Sequence, residues 1–183
     1  MRTREVLKAG IYQRTLYLMR QEGVIEPLAR GVNHLVEIPL PPHVDLVIAA
    51  LIAPKSTICL ISALDFHGIT TQIPHFVYLA VPKGTKAPKI RYPNVRIFTY
   101  SLKDLAAGIT EHTVGNFKIR VSSPEKTVVD CFKYRNKIGL DVAIEALKLC
   151  VERTKTSPAK FLKYARIAKV NKIISPYLET LYA

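Results

Sequence analysis

The chain has 183 residues, nearly half of them apolar, with 8 Gly and 12 Pro, which describes a folded protein of one or two domains and excludes a disordered one. Its 27 Lys and Arg against 14 Asp and Glu leave a net charge of +13, a field that favours polyanions such as DNA, RNA or an acidic protein face. The longest apolar run, Val44–Leu51, is interrupted by Asp45, and no signal peptide is visible, so a cytoplasmic protein without membrane contact is expected.

In chain order, Thr3 is expected to cap a short helix over Arg4–Ala9 that Gly10 closes. A second helix follows from about Tyr12 to Glu22, with Leu16, Met19 and Thr15 on its buried side, and Gly23 ends it. Two extended pieces, Val24–Leu28 and Val32–Glu37, flank Ala29, Arg30 and Gly31. Helix, tight turn, helix and small hairpin is the order of a winged helix-turn-helix. The Pro-rich stretch Ile38–His43 breaks both periodicities and serves as a linker.

Beyond the linker the pattern is mixed α/β. Asp45–Ala53 reads as a helix stopped by Pro54, and Ser56 as the cap of a helix through about Phe66, with Gly68 just past its end. His75–Val81 and Val95–Tyr100 are rich in aromatic and β-branched residues and predict strands, joined by the basic loop Pro82–Pro93. Ser101 and Asp104 form a capping box for a short helix to about Ala107. Thr110–Val114 and Phe117–Val121 flank Gly115-Asn116, a hairpin signal. Ser123-Pro124-Glu125 then opens a helix to about Tyr134. Further helices are expected over Leu140–Glu152, over Ser157–Ala168 and over roughly Lys172–Tyr182. The expected architecture is α/β (α+β) in two domains. The first, residues 1–40, is the winged helix-turn-helix; the second, residues 44–183, is a mixed α/β domain ending in a helical bundle.

Charge is spread unevenly along the chain. Residues 1–44 hold six basic and four acidic residues, whereas residues 81–100 hold five basic residues and no acid. Most of the field therefore comes from the second domain. The cysteines Cys59, Cys131 and Cys150 are odd in number, widely spaced and set among apolar neighbours. That is neither a disulfide framework nor a zinc pattern, and it predicts buried reduced thiols.

Four stretches resemble the AbiEi-type antitoxins, transcriptional regulators of type IV toxin–antitoxin and phage-defence (abortive infection) operons. They are Ala9–Leu18 continuing through Glu22–Val32; Ser62–Ile69 followed by Ile73–Val77; Ser123–Phe132; and Ile173–Tyr182. Together they cover nearly the whole chain in the family's order. The resemblance implies an N-terminal winged helix that binds inverted repeats in its own promoter, repressing it. It also implies a C-terminal domain that counteracts a co-encoded nucleotidyltransferase-type toxin. Family members usually carry one more helix ahead of the segment that begins here at Met1, so the winged helix is expected to lack its first helix.

On such a fold the exposed side of the second helix reads base edges in the major groove. The candidates are Gln13, Arg14 and Tyr17, with Arg20 and Gln21 a turn further on. Gln pairs bidentately with adenine and Arg with guanine. Arg30 at the wing tip suits phosphate or the minor groove, and Arg2, Arg4 and Lys8 suit backbone contacts. A second basic surface is expected at Lys83, Lys86, Lys89, Arg91 and Arg96. The cluster Lys126, Lys133, Arg135 and Lys137 reads as a solvated face.

A metal-dependent nuclease is the main alternative, drawing on Asp65, Glu111, Glu125, Lys126 and Asp130; a toxin-binding module without DNA binding is another. The spacing argues against the nuclease. No acid follows a strand with an acid-x-Lys arrangement, and Glu125 has a sufficient reason to sit in a helix's first turn. His67, near a helix end, reads as a partner of that helix's dipole. No enzyme activity, metal or cofactor is expected.

Overall fold

The computed structural model describes residues 1–182. Its N-terminal unit consists of α1 (Thr3–Lys8), α2 (Gln13–Gln21) and an antiparallel hairpin of β1 (Ile25–Ala29) and β2 (Val32–Leu35). Val6, Leu16 and Ile25 form its small buried core, with Met1, Met19 and Leu35 packed around them. Thr15, expected on the buried side of α2, is exposed. Arg2, not Thr3, stands at the N-cap of α1. The Thr3 hydroxyl instead accepts from the side-chain amide of Asn33, because the chain start lies along β2.

After the linker comes α3 (Val44–Ile52), and then a departure from the expected pattern. In place of one helix from Ser56 to Phe66, Thr57–Ile58 forms a strand, β3, and only Leu60–Phe66 forms a helix, α4. The apolar run Thr57–Leu60 fits either period, and tertiary pairing decides it. Ile58 pairs with Leu79 on one side and Val121 on the other. The Ser56 hydroxyl donates to the carbonyl of Ala53 and caps nothing. Leu60, buried with φ 48°, makes the sharp exit from strand to helix.

The rest follows the sequence closely. β4 (Val77–Pro82) and β5 (Val95–Tyr100) run parallel, and α5 (Leu102–Ala106) starts at Ser101, whose hydroxyl accepts from the Asp104 N–H. β6 (Ile109–Val114) and β7 (Phe117–Ser122) form the expected hairpin over Gly115-Asn116. α6 (Pro124–Lys133) opens on the Ser123 cap. A short helix α7 (Arg135–Ile138), not foreseen, precedes α8 (Leu140–Thr154), α9 (Pro158–Ala168) and α10 (Asn171–Tyr182).

The five strands order as β5-β4-β3-β7-β6. The helices after β7 cover one face together with α4, burying Leu60, Leu64, Tyr78, Val128, Phe132, Leu147, Phe161 and Ile174 in one core. On the other face α3 packs Leu46 and Val47 against Ile58, Leu79, Ile119 and Val121. Alternate residues of β4 thus serve opposite cores, Tyr78 and Ala80 one, Val77 and Leu79 the other. A strand covered on both faces reads as a continuous apolar run, which explains the Val77–Val81 segment. Among the described residues no helix is long and apolar enough to cross a membrane. All three cysteines are buried and free, as expected.

Candidate nucleic-acid interface

The N-terminal unit is small, so polar contacts carry much of its shape. Asn33, on β2 and 1% exposed, is their hub. Its side-chain oxygen accepts from the Arg20 guanidinium at 2.7 Å, and its amide donates to the Thr3 hydroxyl at 3.0 Å. Its backbone carbonyl accepts from the N-terminal ammonium of Met1 at 2.7 Å, and its backbone N–H donates to the Met1 carbonyl at 2.8 Å. One asparagine therefore holds the chain start, α2 and the hairpin to one another.

This arrangement sorts the sequence candidates. Leu16 and Met19 turn α2 inward, leaving Gln13, Arg14, Tyr17 and Gln21 exposed to solvent. Gln13, Tyr17 and Gln21 are spaced four apart and form one stripe, with Arg14 beside it. The Gln21 amide donates to the Tyr17 hydroxyl at 3.0 Å, which orders the C-terminal half of the stripe. Arg20 stands at the flank nearest Leu16 and is engaged with Asn33, so it braces the helix against the hairpin where the sequence suggested a base reader. Arg30 sits exposed at the hairpin tip, where Gly31 adopts φ 77°, a conformation that favours glycine. Arg2 pairs with Glu5 at 3.7 Å; with Arg4, Lys8 and Leu7 it borders a shallow groove beside Gly31.

All five residues of the second basic surface are exposed. Lys83, Lys86, Lys89 and Arg91 are exposed on the connection between β4 and β5. Arg96, on β5, lies 4.2 Å from the centre of the Phe76 ring and is held there by cation–π attraction.

The Lys126 group departs further from the sequence expectation. Lys126 is not on a solvated face: it is 1% exposed, with its ammonium between the carboxylates of Asp104 (2.9 Å) and Asp130. Lys133 also pairs with Asp104. Burial works against the charge on Lys126, but Asp130 and Asp104 raise its pKa above the usual lysine value. Complete burial pushes the Asp130 carboxyl up to about 6 despite Lys126. Asp104 is also penalised by burial, yet Lys126 and Lys133 hold it below the usual carboxylate range. The Lys126–Asp130 spacing of four on a helix was visible in sequence; the third member, Asp104 on α5, was not.

The other acids considered for catalysis are dispersed. Glu111 is exposed on β6, Asp65 lies on α4, and Glu125 accepts from the Thr156 hydroxyl at 3.0 Å. Among the described residues no three His, Cys, Asp or Glu side chains are grouped as a metal site requires.

His67 also differs from its expected role. Its Nε2 lies 2.7 Å from the carbonyl of Ser122, and burial lowers its pKa below 6.5, so the neutral ring donates to that carbonyl and no charge faces the dipole of α4. A His whose folded pKa is depressed loses stability as pH falls below its unfolded value of about 6.5. The His67→Gln variant is therefore expected to show a flatter dependence of stability on pH than the parent below pH 6.5. Urea unfolding at several pH values measures this; parallel curves would refute it. No family model and no curated protein matches this chain.

Proposed function

We propose that this protein is a non-catalytic DNA-binding autorepressor and antitoxin of the AbiEi type, with α2 as recognition helix and the β1–β2 hairpin as wing. The observation that carries the reading is the exposed α2 stripe of Gln13, Arg14, Tyr17 and Gln21, with Arg30 at the hairpin tip and Asn33 bracing the two elements. Gln and Arg supply the bidentate pairings that distinguish adenine and guanine in the major groove. Arg30 supplies an exposed charge for phosphate or the minor groove. The net charge of +13 adds the sequence-independent attraction on which such readout is superimposed. The resemblance of the four sequence stretches adds the promoter as operator and a co-encoded nucleotidyltransferase-type toxin as functional partner.

Arg14→Ala is expected to relax discrimination at one base pair by about 1–3 kcal/mol. Arg30→Ala is expected to weaken binding evenly across sequences and to lower the salt dependence by about one phosphate contact. Gel shifts with the promoter upstream of its own reading frame, and with scrambled duplexes, separate the two effects. If both variants bind like the parent, α2 and the hairpin do not read DNA. Rescue of growth from the co-encoded toxin, comparing the full chain with residues 44–183, tests the antitoxin half.

A further inference from the structure

A cleft of about 350 Å³ opens on the second domain, between the start of α3, the side of α4, the segment entering β4 and the loop before β5. That is the lower end of the size range of small-molecule sites. Its lining has a sign opposite to that of the protein. The chain carries 27 Lys and Arg, yet none of them lines this cleft; the charged side chains facing it are Asp45 and Asp65, with His43 and His75 beside them. Apolar walls come from Leu46, Phe76 and Pro93.

Both carboxylates are only partly engaged. Asp45 accepts from the Tyr92 hydroxyl at 2.9 Å, and Asp65 lies 3.7 Å from Nδ1 of His43. A carboxylate offers about four lone-pair sites, so each retains capacity for further donors. A ligand that satisfies them must be rich in donors, poor in acceptors and positively charged. Its remainder must suit apolar walls, as a short carbon stem does. A phosphate or carboxylate ligand would meet two like charges and no lysine or arginine in the lining.

We propose that this cleft binds a guanidinium or primary ammonium group carried on a carbon stem, with Asp45 and Asp65 as acceptors. Such chemistry arises both in a free amine and in an arginine or lysine of a protein partner. The proposal does not depend on the DNA-binding reading, whose residues all lie elsewhere.

Titration of the ¹⁵N-labelled full chain with agmatine, with N-acetyl-arginine amide and with inorganic phosphate tests it. At least one of the two guanidinium compounds is expected to give saturable shifts confined to residues 43–46, 62–65, 74–77 and 92–94, and phosphate none there. Asp45→Asn and Asp65→Asn are each expected to weaken that binding at least fivefold, with resonances outside the cleft unchanged. Binding of agmatine alone identifies a free amine as ligand. Binding of the capped residue as tight as agmatine identifies a protein side chain. Absence of saturable shifts in the parent chain, phosphate binding in the cleft, or unchanged affinity in both folded variants would overturn the proposal. Should a variant not fold, the parent titrations alone decide.

Discussion

Replacing Lys126 by alanine is expected to destabilise the protein by about 3–5 kcal/mol, among the largest effects of any single substitution. The reason is what remains. Asp104 and Asp130 are both essentially buried, and Lys126 is the cation that stands between them. Without it, Asp130 keeps no salt-bridge partner and must take up a proton to stay inside. Asp104 keeps Lys133. The native cluster need not be strongly stabilising to produce this result, because breaking a buried pair costs far more than the pair contributes. The triple replacement of Asp104, Lys126 and Asp130 by leucine, methionine and leucine is accordingly expected to recover most of the loss. Urea denaturation of the parent, single and triple variants measures both. A single variant within about 1 kcal/mol of the parent would show that the ammonium is not what keeps these carboxylates buried.

The pH dependence of this cluster has a definite sign. Asp130, with its carboxyl at about 6, binds its proton more readily folded than unfolded. Its contribution to stability is therefore present at low pH and lost as pH rises through about 6. Asp104 acts oppositely: its depressed pKa contributes stability that is lost only as pH falls through that lowered value.

The second large effect is expected at Asn33. Asn33→Ala removes both side-chain hydrogen bonds, leaving the Arg20 guanidinium and the Thr3 hydroxyl without this partner. A hydrogen bond to a charged group contributes about 1.5–3 kcal/mol, and the three-residue core of the N-terminal unit has little to offset such a loss. Operator affinity is expected to fall tenfold or more although no base-facing side chain is altered. Arg14→Ala should instead change which sequence is preferred. Gel shifts on the promoter give the affinity, and a panel of single-base operator variants gives the preference. If Asn33→Ala binds the promoter as the parent does, the Arg20–Asn33–Thr3 brace plays no part in aligning helix and hairpin.

Most of the architecture was legible because its signals are local. The Gly115-Asn116 turn, the Ser123-Pro124 helix start and the Ser101 cap each act within a few residues. β3 was not legible, since whether Thr57–Ile58 becomes strand or helix depends on Leu79 and Val121, both distant in sequence. The α2 stripe could be read from Leu16 and Met19, whose burial fixes which side faces out. Arg20 could not, because its engagement depends on where β2 places Asn33. Lys126 failed for the same reason: a lysine among other basic residues looks solvated until Asp104 arrives from another element. The cleft around Asp45 and Asp65 was likewise hidden, its walls coming from four separate segments.

The brevity of β3 bears on how the sheet is stitched. With two residues, this central strand offers few ladder hydrogen bonds to join the β4–β5 half to the β6–β7 half. Its pairing of Ile58 with Val121 also closes a loop of some sixty residues, an entropic cost that so short a ladder hardly offsets. The helices that leave the two sides of this seam do the joining. α4 departs directly from β3 and α6 directly from β7, and Leu60 and Leu64 share one core with Val128 and Phe132. His67 adds a cross-seam tie to the Ser122 carbonyl. The middle of the sheet is thus fastened by side chains packed on both of its faces more than by its own backbone.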